Sequence, residues 1–292
     1  MSFSFHFALD NSVCATSIAR RRRQPRRPRR RLDHSASASG SSTALAPPPP
    51  VFSVVQVEDL TFETVQTTNA AFMARTGAIR SCLTTSDVQT GVYEGGFKLW
   101  EGALDLVKLL ATQQRQGASM PASVLELGCG HGLPGIYALQ QGAGLVTFSD
   151  YNKEVLELTT CPNVRRNVGE QMFSRAEFYA GAWRGMSRYM ETVELKTPDQ
   201  TQFDLILTAE TIYTEAVAVE LYQTIKRHLR RTPNARALIA AKKYYFGTNG
   251  SVQHFVGLVQ ADGLFTAETV WQEHDGRSNM REIVQLTCVD TC

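Results

Sequence analysis

Apolar residues occur in short continuous runs between residues 123 and 289, and stretches with helical periodicity separate most of these runs. Runs that are apolar throughout are typical of strands buried on both faces of a sheet. The pattern predicts seven strands, at 123–128, 145–150, 176–180, 203–208, 235–242, 263–271 and 280–289. It predicts helices after four of them, at 133–142, 152–158, 216–229 and 252–261. The fold class is therefore α/β, with a doubly wound, mostly parallel seven-stranded sheet.

The last two predicted strands have no helix between them, so we expect a C-terminal hairpin that adds an antiparallel strand at one edge of the sheet. Upstream of the first strand, a further helix is predicted by apolar residues at helical spacing, namely Leu99, Ala103, Leu106 and Leu110. The run at 51–60 is strand-like.

The first fifty residues have a different composition. Residues 1–11 alternate polar and apolar positions, as in a short strand or a docking peptide. Residues 12–50 are rich in Arg, Ser, Ala and Pro, and cannot bury enough apolar surface to offset the entropy lost on ordering. We therefore expect a mostly disordered tail over 1–50 and one folded domain over 51–292.

Charge is unevenly distributed between these two parts. Nine arginines lie between Arg20 and Arg31, with Asp10 as the one acid of residues 1–31, whereas the remaining residues hold 21 bases and 27 acids. A basic block of this kind attracts RNA or is recognised by an import receptor, which predicts a protein of nucleus and cytoplasm. A solvated run without a partner and an organelle transit peptide are the alternatives.

Composition excludes several classes of protein. No apolar run approaches the roughly 18 residues that span a bilayer, so we expect no membrane association. The six cysteines form no C-x-x-C pair and no histidine cluster accompanies them, so neither a metal site nor a disulfide framework is predicted. We expect a monomer.

The strongest local signal follows the first predicted strand, where the sequence from Glu126 to Gly132 reads E-L-G-C-G-H-G. Glycines at 128, 130 and 132 allow a tight turn and close approach of a ligand, and this turn is where nucleotides bind in doubly wound sheets. The spacing differs from the dinucleotide pattern and favours a ligand without a pyrophosphate. Glu126 adds an anion that would repel a phosphate but tolerate a cation.

Asp150 ends the second predicted strand, 22 residues after Gly128. An acid roughly 20 residues beyond the glycines is placed to accept hydrogen bonds from ribose hydroxyls. Tyr151 beside it is suited to pack on an adenine ring, and an ordinary half-buried aromatic is the alternative. The sequence therefore predicts a site for an adenosyl compound where these strands end.

Together, these features resemble the seven-strand, Rossmann-like class I fold of S-adenosylmethionine-dependent methyltransferases. A narrower resemblance is to the histidine protein methyltransferase 1 family. Five segments carry it, together with the start MSFSFHF: GVYEGGFKLWE (91–101), FSDYN (148–152), PNV (162–164), FDLILTAETIY (203–213) and AKKYYFG (241–247).

The resemblance implies a set of residues around S-adenosyl-L-methionine. The positions that would bind this cofactor are Leu99, Trp100, Glu101, Gly102, Ala103, Glu126, Gly128, Gly130, Ser149, Asp150, Tyr151, Gly181, Ala182, Trp183, Thr208 and Ala209. Glu210 and Tyr213 would face the incoming substrate and orient it by hydrogen bonds. Taken alone, Glu210 could instead cap the helix that follows, and Tyr213 could serve packing only.

The reaction implied is methyl transfer to an imidazole nitrogen of a histidine in a large-subunit ribosomal protein. Neutral imidazole has a free lone pair, and with a pKa of about 6.5 most histidine is neutral near pH 7. No strong general base is therefore needed, and the enzyme's task is alignment.

Two alternatives remain open. A lysine methyltransferase of the same fold also carries an acid-x-x-Tyr motif like Glu210–Tyr213. A non-catalytic module that binds RNA or protein is the alternative from another class. The sequence does not identify the methylated residue or the ring nitrogen.

Overall fold

The computed structural model describes residues 6–7, 49–83, 87–273 and 280–289. Disorder was predicted over residues 12–50, and all of that segment except residues 49 and 50 lies outside the described residues, as does the run from Arg20 to Arg31. The strands are β1 His6–Phe7, β2 Phe52–Val57, β3 Leu60–Val65, β4 Ser123–Leu127, β5 Leu145–Asp150, β6 Ala176–Ala180, β7 Leu205–Ala209, β8 Arg236–Lys242, β9 Phe265–Glu273 and β10 Arg281–Cys288. The helices are α1 Ala70–Met73, α2 Arg80–Leu83, α3 Glu101–Arg115, α4 Leu133–Gln140, α5 Lys153–Val155, α6 Cys161–Phe173, α7 Trp183–Thr192, α8 Pro198–Thr201, α9 Glu215–His228 and α10 Val252–Asp262.

The main sheet has the strand order β1-β6-β5-β4-β7-β8-β10-β9. Within this order, each of the first six strands (β1, β6, β5, β4, β7 and β8) is parallel to its neighbours in that group. Strand β10 runs antiparallel to both β8 and β9. The predicted doubly wound sheet with an antiparallel C-terminal strand is thus confirmed, although that strand lies one position in from the edge. The chain runs outward from β4 in both directions, which makes the β4–β7 boundary the topological switch point.

The short strand β1 extends the sheet beyond seven strands. His6 and Phe7 pair in parallel with Tyr179 and Ala180 at the end of β6. The prediction of a strand within residues 1–11 is confirmed at these two positions, and the other nine residues lie outside the described part of the chain.

Successive residues of the central strands pack on opposite faces of the sheet, as the pleat requires. In β4, Val124 belongs to a hydrophobic cluster with α3, α4 and α6, while Leu125 and Leu127 belong to a second cluster with α7, α9 and α10. Both faces of β4 are therefore buried, which explains its continuous apolar run.

The strand-like run at 51–60 forms more than one strand. It makes β2 and the start of β3, which pair as a separate antiparallel hairpin. Asn163 and Asn167 of α6 accept hydrogen bonds from the backbone N–H groups of Val65 and Glu63, at 2.8 and 2.9 Å. The hairpin is thereby fixed to the same face of the sheet as α6.

One buried ion pair joins α3 to the antiparallel strand. Arg281 Nε of β10 lies 2.6 Å from Asp105 Oδ2, and both side chains are almost fully buried. Lys108 Nζ is a further partner of Asp105, at 3.5 Å.

Across the part of the chain that the structure describes, no helix is both long enough and apolar enough to cross a bilayer.

Candidate active site

A cavity of about 430 Å³ lies at the carboxyl ends of β4, β5 and β7, beside the topological switch point. Fourteen of the predicted site residues line it: Leu99, Trp100, Ala103, Glu126, Gly128, Gly130, Asp150, Tyr151, Gly181, Ala182, Trp183, Ala209, Glu210 and Tyr213. Sequence reasoning gave no role to other wall residues, among them Thr90, Glu94, Gly95, Gly96, Lys98, Cys129, His131, Arg184 and Thr211.

The glycine turn after β4 forms one end of the cavity. Gly128, Gly130 and Gly132 have φ angles of 62°, 50° and 75°, in the region that side chains rarely adopt. A Cβ on Gly128 would come within 2.6 Å of the Thr211 side chain, and one on Gly130 within 3.1 Å of the Gly96 carbonyl oxygen. The turn therefore requires glycine for its backbone geometry and for the space around it.

Asp150 lies at the end of β5, in the wall next to this turn. Its carboxylate is 3% exposed and accepts hydrogen bonds from the backbone N–H groups of Gly130, at 3.0 Å, and Asn152, at 3.1 Å. Burial raises the pKa of Asp150 to about 6, although these N–H groups act to lower it. The carboxylate thus connects the glycine turn to the segment after β5.

Glu126 lines the cavity, but its hydrogen bond is directed away from any ligand. Glu126 Oε2 accepts the backbone N–H of Gly135 in the first turn of α4, at 2.8 Å. Burial raises the pKa of Glu126 to about 8. Glu126 therefore fixes the start of α4, and its role beside a bound cation stays a prediction.

Four predicted cofactor residues lie off the cavity wall: Glu101, Gly102, Ser149 and Thr208. Ser149 and Thr208 are fully buried, and each precedes a strand residue that does line the cavity, so its side chain points to the other face of the sheet. Glu101 is exposed at the start of α3, and Gly102 lies beneath Glu210. For each of these four residues, the family resemblance identified the correct segment of the chain. It did not identify which residues of that segment face the cavity.

Residues 87–100, here called the covering segment, close one side of the cavity. Tyr151 Oη donates to the Gly91 carbonyl oxygen at 3.0 Å, and Asn152 Nδ2 donates to the Val92 carbonyl oxygen at 2.8 Å. Asn152 Oδ1 accepts the backbone N–H of Glu94 at 3.0 Å. The loop that follows β5 therefore holds the covering segment in place.

A buried histidine joins the covering segment to the glycine turn. His131 Nε2 lies 2.9 Å from the Phe97 carbonyl oxygen, and Asn163 Nδ2 donates to the His131 carbonyl oxygen at 3.1 Å. Burial lowers the pKa of His131, which keeps the ring neutral near pH 7. A neutral ring held by hydrogen bonds serves the turn's structure.

Two tryptophans, Trp100 and Trp183, line the cavity. Trp100 Nε1 donates to the Gly95 carbonyl oxygen at 3.0 Å, and Trp183 begins α7 after β6. The ammonium groups of Lys98 and Lys242 lie 4.4 and 5.0 Å from the Trp100 ring centre, within the range of cation–π attraction.

Glu210 follows β7 in an uncommon backbone conformation, with a φ of 58°. Glu210 Oε2 accepts a hydrogen bond from the Tyr245 hydroxyl at 2.7 Å, while Oε1 is buried and has no hydrogen-bond partner among the described residues. Burial raises the pKa of Glu210, whereas Tyr245 and the Lys242 ammonium act to lower it. The helix-capping alternative is excluded, because α9 is capped by Thr214 Oγ1, which accepts the Val217 N–H at 3.2 Å.

Tyr213 connects the end of β7 to the covering segment. Its hydroxyl donates to Glu94 Oε2, and Glu94 Oε1 accepts the Gly91 N–H at 2.6 Å. Burial and the neighbouring Glu94 raise the pKa of Tyr213. Glu94 is the acid of the GVYEGG block, so the signal for it was present in the sequence although no role was assigned.

No cluster of His, Cys, Asp and Glu suitable for a metal ion occurs within the described ranges. The arrangement is a cavity with glycine, aromatic and carboxylate walls, and it holds one buried carboxylate oxygen that lacks a partner. Such a cavity can bind an adenosyl compound and accept an N–H group from a second molecule.

Comparisons with known proteins give consistent findings. A family model described as "Lysine methyltransferase" matches residues 85–261. A histidine protein methyltransferase 1 homolog of Dictyostelium discoideum is 39% identical over 205 residues, which cover 70% of this chain and 62% of that protein. A homolog of the same name from Bos taurus is 35% identical over 206 residues, covering 63% of this chain and 53% of that protein. These relatives confirm the resemblance indicated by the GVYEGG block.

The chain spans about half to three-fifths of the length of these curated relatives. Among solved structures, a magnesium protoporphyrin IX methyltransferase from Synechocystis is similar, with 13% identity and a TM-score of 0.48. That similarity covers 76% of this chain and 96% of the other.

Proposed function

Since this chain belongs to the lysine methyltransferase family, we propose that it transfers a methyl group from S-adenosylmethionine to a histidine side chain of a protein. The choice of histidine is supported by the names of the relatives with 35–39% identity. The reaction is supported by the position of the cavity at the switch point of the sheet.

The residues present fit S-adenosylmethionine. Asp150 would accept hydrogen bonds from ribose hydroxyls, and the glycine turn leaves room for the methionine portion at Gly128 and Gly130. Trp183 and Tyr151 would flank the adenine. A cavity of about 430 Å³ is within the size range of cofactor sites. When bound, the cofactor supplies a methyl group that its sulfonium has already activated.

One observation carries the proposed role of Glu210: its Oε1 is a buried carboxylate oxygen that has no hydrogen-bond partner in the described part of the chain. A buried acceptor left unpaired costs free energy, and a substrate N–H would remove that cost. Glu210 accepts the N–H of one ring nitrogen, which directs the lone pair of the other nitrogen toward the methyl group. Glu210 thus orients the ring without having to remove a proton before the attack.

A lysine substrate is the second candidate, and the description of the matching family model favours it. A lysine amine has a pKa of about 10.4 and must lose a proton before it can attack, whereas a neutral imidazole need not. Near pH 7, the lysine reaction would therefore require a general base to remove this proton, and the histidine reaction would not.

The test uses the whole chain, isotopically labelled S-adenosylmethionine and purified large-subunit ribosomal proteins, with mass spectrometry of the product. Methyl-histidine is the expected product, and methyl-lysine alone would replace our proposal with the second candidate. Calorimetry that detects no cofactor binding would favour a non-catalytic binding module instead.

The finer assignments are part of the same proposal. We propose that the substrate is a large-subunit ribosomal protein and that the protein acts as a monomer in the nucleus and the cytoplasm. The run from Arg20 to Arg31 would contact RNA or an import receptor, because its charge is sufficient for either.

A further inference from the structure

The loop between β8 and α10 contains a tyrosine that contacts Glu210 directly. Tyr245 Oη donates to Glu210 Oε2 at 2.7 Å and accepts the backbone N–H of Lys242 at 3.3 Å. Because the hydroxyl both donates and accepts, its orientation is fixed. Its neighbours Tyr244 and Phe246 are exposed, so Tyr245 is the ring of this run that turns inward.

This loop is packed tightly against the segment that carries Glu210 and Tyr213. Tyr245 N–H donates to the Gly250 carbonyl oxygen at 2.9 Å, and Gly250 N–H donates to the Tyr213 carbonyl oxygen at 3.2 Å. A Cβ on Gly250 would come within 2.2 Å of the Ile212 carbonyl oxygen. The two loops therefore hold each other in one relative position.

The charges around Glu210 are distributed over several elements. Lys242 of β8 and Arg281 of β10 favour the ionised carboxylate, whereas Glu101 of α3 disfavours it. Burial has the largest effect and raises the pKa of Glu210, and the Tyr245 hydroxyl is the strongest influence in the opposite direction. Loss of that hydroxyl would therefore raise the pKa of Glu210 further.

We propose that Tyr245 is a positioning residue that occupies one oxygen of Glu210 and leaves Oε1 as the single acceptor for the substrate. One free oxygen matches the single N–H of a neutral imidazole, whereas the neutral amine of a lysine that is ready to attack carries two N–H donors. The inference rests on the proposed function, since it deepens the role of Glu210 in that reaction.

The test compares Tyr245→Phe with Tyr244→Phe. Tyr244 is 46% exposed and makes no side-chain hydrogen bond with the described residues, which makes it a matched control. The first measurement is the pKa of the Glu210 carboxyl by carbon-13 NMR without cofactor, with Glu210→Gln to assign the resonance. We expect the pKa to rise in Tyr245→Phe and to stay unchanged in Tyr244→Phe.

The second measurement is methyltransferase activity as a function of pH. The substrate is a protein whose histidine the wild type methylates, supplied in the unmethylated form. In Tyr245→Phe, kcat should fall about tenfold near pH 7 and the acidic limb of the kcat profile should move to higher pH. Cofactor affinity should stay within about twofold, because the hydroxyl contacts Glu210 rather than the cofactor wall. The double variant Tyr245→Phe/Glu210→Gln should be no slower than Glu210→Gln, since Tyr245 acts through Glu210.

The proposal is overturned if the Glu210 pKa and the acidic limb are the same in Tyr245→Phe and the wild type. It is equally overturned if the two substitutions lower kcat independently, or if the wild type produces only methyl-lysine. A wild type without any transferase activity would contradict the proposed function alone, because the NMR measurement still decides whether Tyr245 controls Glu210.

Discussion

Three carboxyl groups of the cavity wall are buried, and their hydrogen-bond partners decide what each one can do. Glu126 is held by a helix N–H, Asp150 by two turn N–H groups, and Glu210 by one tyrosine hydroxyl. Burial raises the pKa of each, to about 8 for Glu126 and about 6 for Asp150. Of these three carboxyl groups, only Glu210 has a buried oxygen to which no described residue donates a hydrogen bond.

The pKa of Asp150 predicts how cofactor affinity depends on pH. Ribose hydroxyls bind best to the ionised carboxylate, and burial raises the pKa of this group to about 6. Affinity should therefore be high above pH 6 and should fall as the pH drops through that value. Calorimetric titration with S-adenosylmethionine between pH 5 and 8 measures this effect. Asp150→Asn should bind weakly and show a flatter profile, and a wild-type affinity that does not change with pH would contradict the assignment.

Gly102 gives a second prediction at the scale of single residues. A Cβ there would lie 3.1 Å from Glu210 Oε1, so Gly102→Ala should crowd the free oxygen and lower kcat about tenfold. Cofactor affinity should change by less than about twofold. Gly257→Ala is the control, because nothing lies within 4 Å of a Cβ on that helical glycine. Equal kinetics for the two variants would show that Oε1 takes no part in the reaction.

Single positions in the site were predictable only where the sequence motif itself dictates the geometry. Gly128 and Gly130 follow from the turn, and Asp150 from its place after a strand. Glu94 and Tyr245 did not follow, because their partners Tyr213 and Glu210 are 119 and 35 residues away in the chain. Such contacts are set by packing between loops, which leaves no periodic signal.

Among the elements, strands were easier to predict than helices. Burial on both faces produces continuous apolar runs, and β5 and β6 have the predicted bounds. No helix was predicted at α6, although Pro162 lies in its first turn, where proline is compatible with a helix. A π-helical turn at Leu156–Thr160 joins the predicted helix at 152–158 to α6. No helix was predicted at α7 either, although Trp183, Met186 and Met190 follow helical spacing and Met186 and Met190 are buried on one side of it.

The ion pair between α3 and β10 gives a prediction at the scale of elements. Arg281→Met would leave Asp105 as a buried carboxylate without its main partner and should lower the free energy of unfolding by about 3–5 kcal/mol. The double variant Asp105→Leu/Arg281→Met should recover most of that loss, because no unpaired charge remains. Denaturant unfolding measures both.

The control for this experiment is Arg166→Met, which removes a pair with Glu63 whose side chains are largely exposed. That variant should unfold at nearly the wild-type denaturant concentration. A double variant as unstable as Arg281→Met alone would mean that the pair contributes through packing, not charge.

For the whole molecule, the division into a tail and a domain at residue 50 stays a prediction, because most of the tail lies outside the described residues. The structure describes an eight-stranded sheet that includes His6 and Phe7 of the tail, with helices on both of its faces and a separate β2–β3 hairpin. The positive charge of the tail is concentrated between Arg20 and Arg31. A role for the tail that is independent of the cavity can therefore be tested by removing that charge.

Replacing the nine arginines between Arg20 and Arg31 with glutamine should weaken RNA binding and reduce its dependence on salt. Cofactor affinity should stay unchanged, because the cavity is formed by residues from 90 onward. Fluorescence anisotropy with a labelled single-stranded RNA at several salt concentrations checks the first effect. An unchanged RNA affinity would mean that the run has another partner or none.

The positions of the tryptophans give the protein a built-in optical reporter. Two of the three indoles, Trp100 and Trp183, form cavity walls, while Trp271 lies on the edge strand β9. Stacking or displacement at those walls should alter tryptophan emission, so cofactor binding can be followed in real time without a dye. The Trp271→Phe variant would lack the fluorescence of the tryptophan outside the cavity. Its remaining fluorescence would then report directly on how much of the cavity is occupied.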